Sequence, residues 1–81
     1  MFYVYILQSE KNNRYYVGSS ENTQSRLAQH NSGQVKSTKS HIPWKIVHKE
    51  SFSSLSEARI REKQIKSWKK RSSIEKLTKH L

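Results

Sequence analysis

Three strand-like runs interleaved with three helix-like ones predict a small mixed α/β (α+β) domain. Aromatic and β-branched residues crowd Phe2–Leu7, Arg14–Gly18 and Trp44–Lys49. Helix-capping residues precede amphipathic segments after Asn22, Ser54 and Ser72. The 81 residues suit a single domain, 1–81, with one small core. A chain this short buries about 60% of its unfolded surface, so function belongs on a surface or in a shallow cleft.

Phe2–Leu7 reads as the first strand, with Phe2, Val4 and Ile6 on one face and Tyr3, Tyr5 and Leu7 on the other. Lys11-Asn12-Asn13 is turn chemistry, because Asn tolerates positive φ. Arg14–Gly18 returns as the second strand. A loop of about four residues would set Tyr5 opposite Tyr16. Ser19–Asn22 offers N-caps for a helix over Thr23–Asn31, and Gly33 suits its stop. Arg26 and His30, four apart, share a face of it. Gln34–Ile42 is a polar, basic loop. Pro43 precedes the third strand, Trp44–Lys49, with Trp44, Ile46 and His48 on one side. Ser54 and Glu57 form a capping box, and the helix they open should run to about Lys69. Its apolar members are Leu55, Ala58, Ile65 and Trp68. Ser72 or Ser73 caps a last helix that turns Ile74 and Leu77 inward, with Leu81 closing it.

The charge narrows the partner. Sixteen Lys and Arg against six Asp and Glu give +10, which suits a polyanion such as nucleic acid. The plainer alternative is a cationic surface that serves solubility alone. No segment is apolar enough on one face to insert into an anionic membrane. With no cysteine, disulfides and thiolate metal sites are excluded. Phe2–Leu7 is too short for a signal peptide and no run approaches membrane-spanning length, so the expected location is the cytoplasm.

Among candidate chemical groups Glu62 stands out. At ~100° per residue it falls inside the arc bounded by Leu55 and Ile65, where an unpaired carboxylate is costly. A salt bridge would satisfy it; so would a divalent cation such as Mg²⁺, which needs only one or two carboxylates. Glu57 is a rival, already used by the capping box. Arg26 is either an exposed helix arginine or a bidentate phosphate ligand. His30 is either a packing histidine or a proton carrier near a phosphodiester. Tyr3, Tyr5, Tyr15 and Tyr16 make half of the eight aromatic residues. Phenols are good strand formers, poor bases unless cations stabilise the phenolate, and stacking platforms for unpaired bases where exposed. Trp44 and Trp68 read as core. There is no Gly-rich phosphate loop, His/Cys metal cluster or nucleophile elbow.

Tyr3-Val4-Tyr5, Tyr16-Val17-Gly18, Arg26 through Asn31, and Glu57 through Trp68 occur in an order and spacing that resembles the GIY-YIG nuclease superfamily. The chain looks like a member of its small stand-alone bacterial group, akin to the N-terminal domain of the excinuclease C subunit. The resemblance covers nearly the whole chain. It implies a three-stranded antiparallel sheet flanked by three helices and hydrolysis of DNA phosphodiesters with one Mg²⁺ or Mn²⁺. It puts the metal on Glu62, makes Tyr5 or Tyr16 the base for water, sets Arg26 against the phosphoryl charge and gives His30 a supporting role. Three positions depart from the family pattern. Tyr3 replaces the first glycine, Ser19 replaces a lysine, and Ser72-Ser73-Ile74-Glu75 offers no clear equivalent of the asparagine that follows the metal glutamate.

The expected function is therefore a metal-dependent endonuclease of low sequence specificity, acting on single-stranded or branched DNA in repair-like processing. Lys36, Lys39, Lys66, Lys69, Lys70 and Arg71 are the expected backbone contacts. A separate protein partner would supply site choice. The alternatives are a non-catalytic nucleic-acid-binding module of the same fold, favoured by the missing asparagine, and a basic accessory protein docking on an acidic partner.

Overall fold

In a computed structural model, which describes residues 1–68 and 70–79, three antiparallel strands form one sheet ordered β2-β1-β3. The strands are β1 (Phe2–Ser9), β2 (Tyr15–Ser20) and β3 (Trp44–Phe52). Three helices accompany them: α1 (Thr23–Asn31), α2 (Leu55–Lys66) and α3 (Arg71–Thr78). Lys69 and Leu81, expected to contact DNA and to close the last helix, lie outside the described residues.

The central strand organises two apolar layers. Val4 and Ile6 join Val17, Ala58 and Ile65 on one face, where Phe2, Tyr15, Val47, Phe52, Trp68, Ile74 and Leu77 complete the packing. Tyr5 and Leu7 join Trp44 on the other, against Tyr16, Leu27, Ile42 and Ile46. Alternation along β1 thus places α1 on one face and α2 with α3 on the opposite one. Both tryptophans are packed as expected.

Local chemistry explains the element ends. Asn13 takes the turn with φ 63°, and Ser9 N–H donates to the Arg14 carbonyl at 2.8 Å to close the hairpin. The Asn22 side chain accepts from Ser25 N–H at 3.0 Å and caps α1, while Gly33, at φ 83°, ends it. Ser54 Oγ accepts from Glu57 N–H at 3.2 Å, and Ser53 and Ser54 hydroxyls donate to the Glu57 carboxylate, so the capping box forms.

Several expectations are corrected. The loop between β1 and β2 spans five residues, and the register sets Tyr5 beside Gly18 and Tyr16 beside Leu7. Tyr5 and Tyr16 are therefore diagonal neighbours on one face, not an opposed pair. A bulge between Ile6 and Leu7 shifts β3 by one residue, pairing Ile46 with Leu7 but His48 with Ile6. His48 consequently leaves the Trp44–Ile46 side and lies at 2.7 Å from Glu50. The strand also continues to Phe52. Helix α2 stops at Lys66, where Ser67 N–H closes on the Lys63 and Gln64 carbonyls. Leu55, at its first position, is exposed. Helix α3 begins at Arg71 without a serine cap; the Arg71 guanidinium instead donates to the Asn13 carbonyl at 2.6 Å and covers the Tyr15 ring.

An ion pair fixes the rotation of α2. Arg61 Nε and Nη2 donate to the two oxygens of Glu50 on β3, at 2.8 and 3.1 Å. Arg61 is thus tied toward β3, and Glu62, one residue and ~100° further round the helix, turns toward β2.

Candidate active site

An open cleft runs over the β2 edge of the sheet, between α1 and α2. Tyr5, Tyr16, Gly18, Ser19, Arg26, Arg59, Glu62, Lys63 and Lys66 line it. Four of the five residues expected to act in chemistry converge here from β1, β2, α1 and α2. The fifth, His30, is fully buried behind the phenols.

Tyr5 belongs to the central strand and reaches the cleft by crossing β2. It can do so only where β2 has no side chain. A Cβ at Gly18 would lie 2.5 Å from the Tyr5 hydroxyl oxygen, 2.7 Å from its Cζ and 3.2 Å from Tyr16 Cε2. The glycine is the gap through which the phenol passes. Tyr16 stands next to it, its ring 4.7 Å from the His30 ring.

The phenols are held from behind. Tyr5 Oη lies 3.5 Å from His30 Nε2, and His30 Nδ1 lies 2.8 Å from Thr38 Oγ1. Burial pushes the Tyr5 phenol up, and the hydrogen bond and charge of Arg26 do not bring it back to the ordinary value. Hydrogen bonding to Tyr5 raises Arg26 further, so the guanidinium stays charged. Burial, helped by the Arg26 charge, pulls His30 below 6.5 and keeps the imidazole neutral near pH 7.

Glu62 faces the cleft from α2. Ser19 Oγ donates to its Oε1 and Lys66 Nζ to its Oε2, each at 2.6 Å. Burial raises its pKa, but these hydrogen bonds, with the charges of Lys66 and Arg59, hold it below the ordinary carboxylate value. An ionised hard-oxygen ligand therefore stands at an open cleft with room for water. Among the described residues there is no group of three or more His, Cys, Asp or Glu side chains placed to hold a metal. One carboxylate fits Mg²⁺ or Mn²⁺ all the same, because Mg²⁺ keeps most of its waters and takes substrate phosphate as a further ligand.

The cations divide. Lys66 lines the cleft, as do Arg59 and Lys63, which the sequence reading did not single out. Their spacing is the signal: Arg59, Glu62, Lys63 and Lys66 are three or four apart and share one helix face. Lys36, Lys39, Lys70 and Arg71 are exposed but line no part of this cleft. Exposed stacking platforms are not found among the tyrosines. Tyr5 is buried, Lys49 lies over Tyr3 and Arg71 over Tyr15. Ser19, where the family pattern has a lysine, donates to the Glu62 carboxylate instead.

A family model described as the GIY-YIG catalytic domain matches residues 1–77. A UPF0213 protein of Staphylococcus haemolyticus is 41% identical over 73 residues, covering 89% of this chain and 88% of the relative. Another, from Syntrophus aciditrophicus, is 49% identical over 78 residues, covering 93% and 84%. The solution NMR structure of a UPF0213 protein from Bacillus halodurans matches with a TM-score of 0.59 at 32% identity, over 95% of this chain and 82% of that one. None of the described helices is long and apolar enough to cross a membrane.

Proposed function

This chain belongs to the GIY-YIG family, a family of nucleases, and from that premise we propose that it is a metal-dependent DNA endonuclease of low sequence specificity. The observation that carries this reading is the convergence of Tyr5, Tyr16, Arg26 and Glu62 on one open cleft. Each supplies a different requirement of phosphodiester hydrolysis.

Glu62 is the residue that would hold Mg²⁺ or Mn²⁺. Bound there, the ion would coordinate the scissile phosphate and stabilise charge on the departing 3′ oxygen. Arg26, across the cleft, offsets charge on the phosphoryl oxygens. Tyr16 orders the attacking water. Tyr5 takes its proton, and this choice follows from the surroundings. A phenol whose pKa is raised cannot wait as phenolate. It can accept a proton from water only while passing its own onward, and His30 Nε2 is the acceptor beside it. Water attack at phosphorus then breaks the bond to the 3′ oxygen, which takes a proton from solvent, and His30 returns its proton through the Tyr5 hydroxyl to water in the cleft. The ends left are a 5′-phosphate and a 3′-hydroxyl.

Arg59 and Lys63 extend the positive wall along α2 and would follow the strand by phosphate contacts. We extend the proposal to single-stranded or branched DNA in repair-like processing. A flexible strand can bend one phosphodiester into a cleft bounded by two helices, whereas paired duplex resists that bend. The second reading, a non-catalytic binding module, is favoured by one feature: Ser19 and Lys66 already satisfy both oxygens of Glu62.

Labelled single-stranded, duplex and branched DNA, incubated with the protein and Mg²⁺, Mn²⁺ or chelator, separates the two. Cutting that needs metal supports the nuclease. Salt-sensitive binding of every substrate without cutting in either metal supports the module.

A further inference from the structure

We infer that Thr38 is a positioning residue: it fixes His30 as the Nδ1–H tautomer and so leaves the Nε2 lone pair aimed at the Tyr5 hydroxyl. This inference deepens the proposed function and rests on it for its catalytic consequence. The tautomer itself follows from hydrogen-bond accounting around one buried hydroxyl.

Thr38 Oγ1 has two neighbours. One is the Val35 carbonyl at 3.2 Å, which can only accept. The other is His30 Nδ1 at 2.8 Å, which donates in one tautomer and accepts in the other. The hydroxyl has one proton. If it goes to Nδ1, two oxygens face each other at Val35 with no proton between them. If it goes to Val35, the imidazole donates to Oγ1 and both contacts are hydrogen bonds. The second arrangement leaves no mismatch, and Thr38 and His30 are both too buried for bulk water to repair one. The Val35 carbonyl also accepts from Thr38 N–H at 3.1 Å, within the capacity of its two lone pairs.

The hydroxyl is itself held in place. Trp44 Nε1 donates to the Thr38 carbonyl at 3.0 Å, and His41 N–H donates to the same oxygen at 3.1 Å. Asn31, the last residue of α1, exchanges two hydrogen bonds with the Trp44 backbone, at 2.6 and 3.0 Å. The loop expected to offer Lys36 and Lys39 to DNA thus also carries a buried brace from β3 to the histidine of α1. The chain of contacts runs from Thr38 through His30 to Tyr5 and ends in the cleft.

The experiment reads the imidazole directly. Proton-coupled ¹⁵N NMR of the protein near pH 7.5 reports which nitrogen of His30 carries the proton. The expected result is a protonated Nδ1 and an unprotonated Nε2. Thr38→Val, which keeps the shape and removes the hydroxyl, should move His30 toward the Nε2–H form that imidazole favours in water. Thr38→Ser should restore Nδ1–H. On whichever DNA the wild type cuts, Thr38→Val should lower kcat by about 10- to 100-fold, the loss found when the hydrogen-bond partner that orients a metal-bound histidine is removed. KM should stay within about twofold, because Thr38 does not touch the cleft. A wild-type His30 protonated on Nε2 overturns the inference outright, whether or not the valine variant folds. Equal kcat for Thr38→Val and wild type, with the tautomer changed, overturns its catalytic part. Should no DNA be cut under any condition, the proposed function fails, and the NMR result still decides the tautomer.

Discussion

Gly18→Ala isolates the geometric device on which the cleft depends. In an ordinary strand, Gly to Ala stabilises by roughly 0.5–1 kcal/mol, because glycine loses more freedom on folding. Here the new Cβ would meet Tyr5 Oη at 2.5 Å and Cζ at 2.7 Å. The phenol ring is rigid and buried against its neighbours, so it cannot step aside as a lysine tip would. Overpacking of this kind costs about 1–3 kcal/mol. For a domain of this size, each 1 kcal/mol lowers Tm by roughly 4–8 °C. A fall of roughly 5–20 °C is expected by calorimetry, together with lost cleavage as the phenol leaves Arg26 and His30. Tyr5→Phe should relieve the clash only in part, since Cζ remains. In a Tyr5→Ala background the same Gly18→Ala change should cost less than about 0.5 kcal/mol, the range of substitutions that touch nothing critical. A Gly18→Ala protein as stable as wild type or more so would refute the crossing of β2 by Tyr5.

Other expectations follow from the same contacts. His30 is buried neutral with its pKa lowered below 6.5, so the unfolded chain binds the proton more readily than the fold does. Its contribution is present above about pH 6.5 and is lost as pH falls through the lower folded value; urea titrations between pH 7.5 and 5 should show this loss, and the slope should flatten in His30→Gln. Lys66 competes for Glu62 through an i,i+4 pair whose lysine is half exposed, a contact of about 0.3–0.5 kcal/mol. Lys66→Met should therefore tighten Mn²⁺ binding by only about twofold in calorimetry, while weakening DNA; a weaker Mn²⁺ site would show that Lys66 assists the metal. If Lys63 contacts a phosphate, Lys63→Ala should lower the slope of log affinity against log salt by about 0.7 on single strands, and an unchanged slope removes it from the interface.

Much of the fold was legible because its punctuation is local. Asn22, Gly33, Asn13 and the Ser54–Glu57 box each act within four residues, so α1 could be placed from its caps and the turn from its asparagines. Glu62 stood out for a similarly local reason, its position on the wrong arc of an amphipathic helix. What escaped depends on register and on distant partners. The opposed placement of Tyr5 and Tyr16 failed because the register lies two residues further on, with Gly18 opposite Tyr5, and both phenols kept their face because a shift of two preserves parity. His48 changed sides through a bulge that the alternation of β3 does not announce. Ser19 and Thr38 matter through contacts 43 and 8 residues away, and a lone hydroxyl gives no sequence sign of its acceptor. Arg59 and Lys63 were available from helical spacing around Glu62, but the general excess of cations hid them.

Under the proposed function, Glu62 turns this cleft from a binding surface into a metal-dependent nuclease site. Glu62→Gln keeps the size of the side chain and its contact with Ser19 while removing the charge. The decisive measurement is single-turnover cleavage of one DNA substrate in Mn²⁺ by wild type and Glu62→Gln, at protein concentrations that saturate both. The variant is expected to bind the DNA at least as tightly and to cut it at least 100-fold more slowly. Equal cutting rates would contradict this and place the metal, and the chemistry, elsewhere.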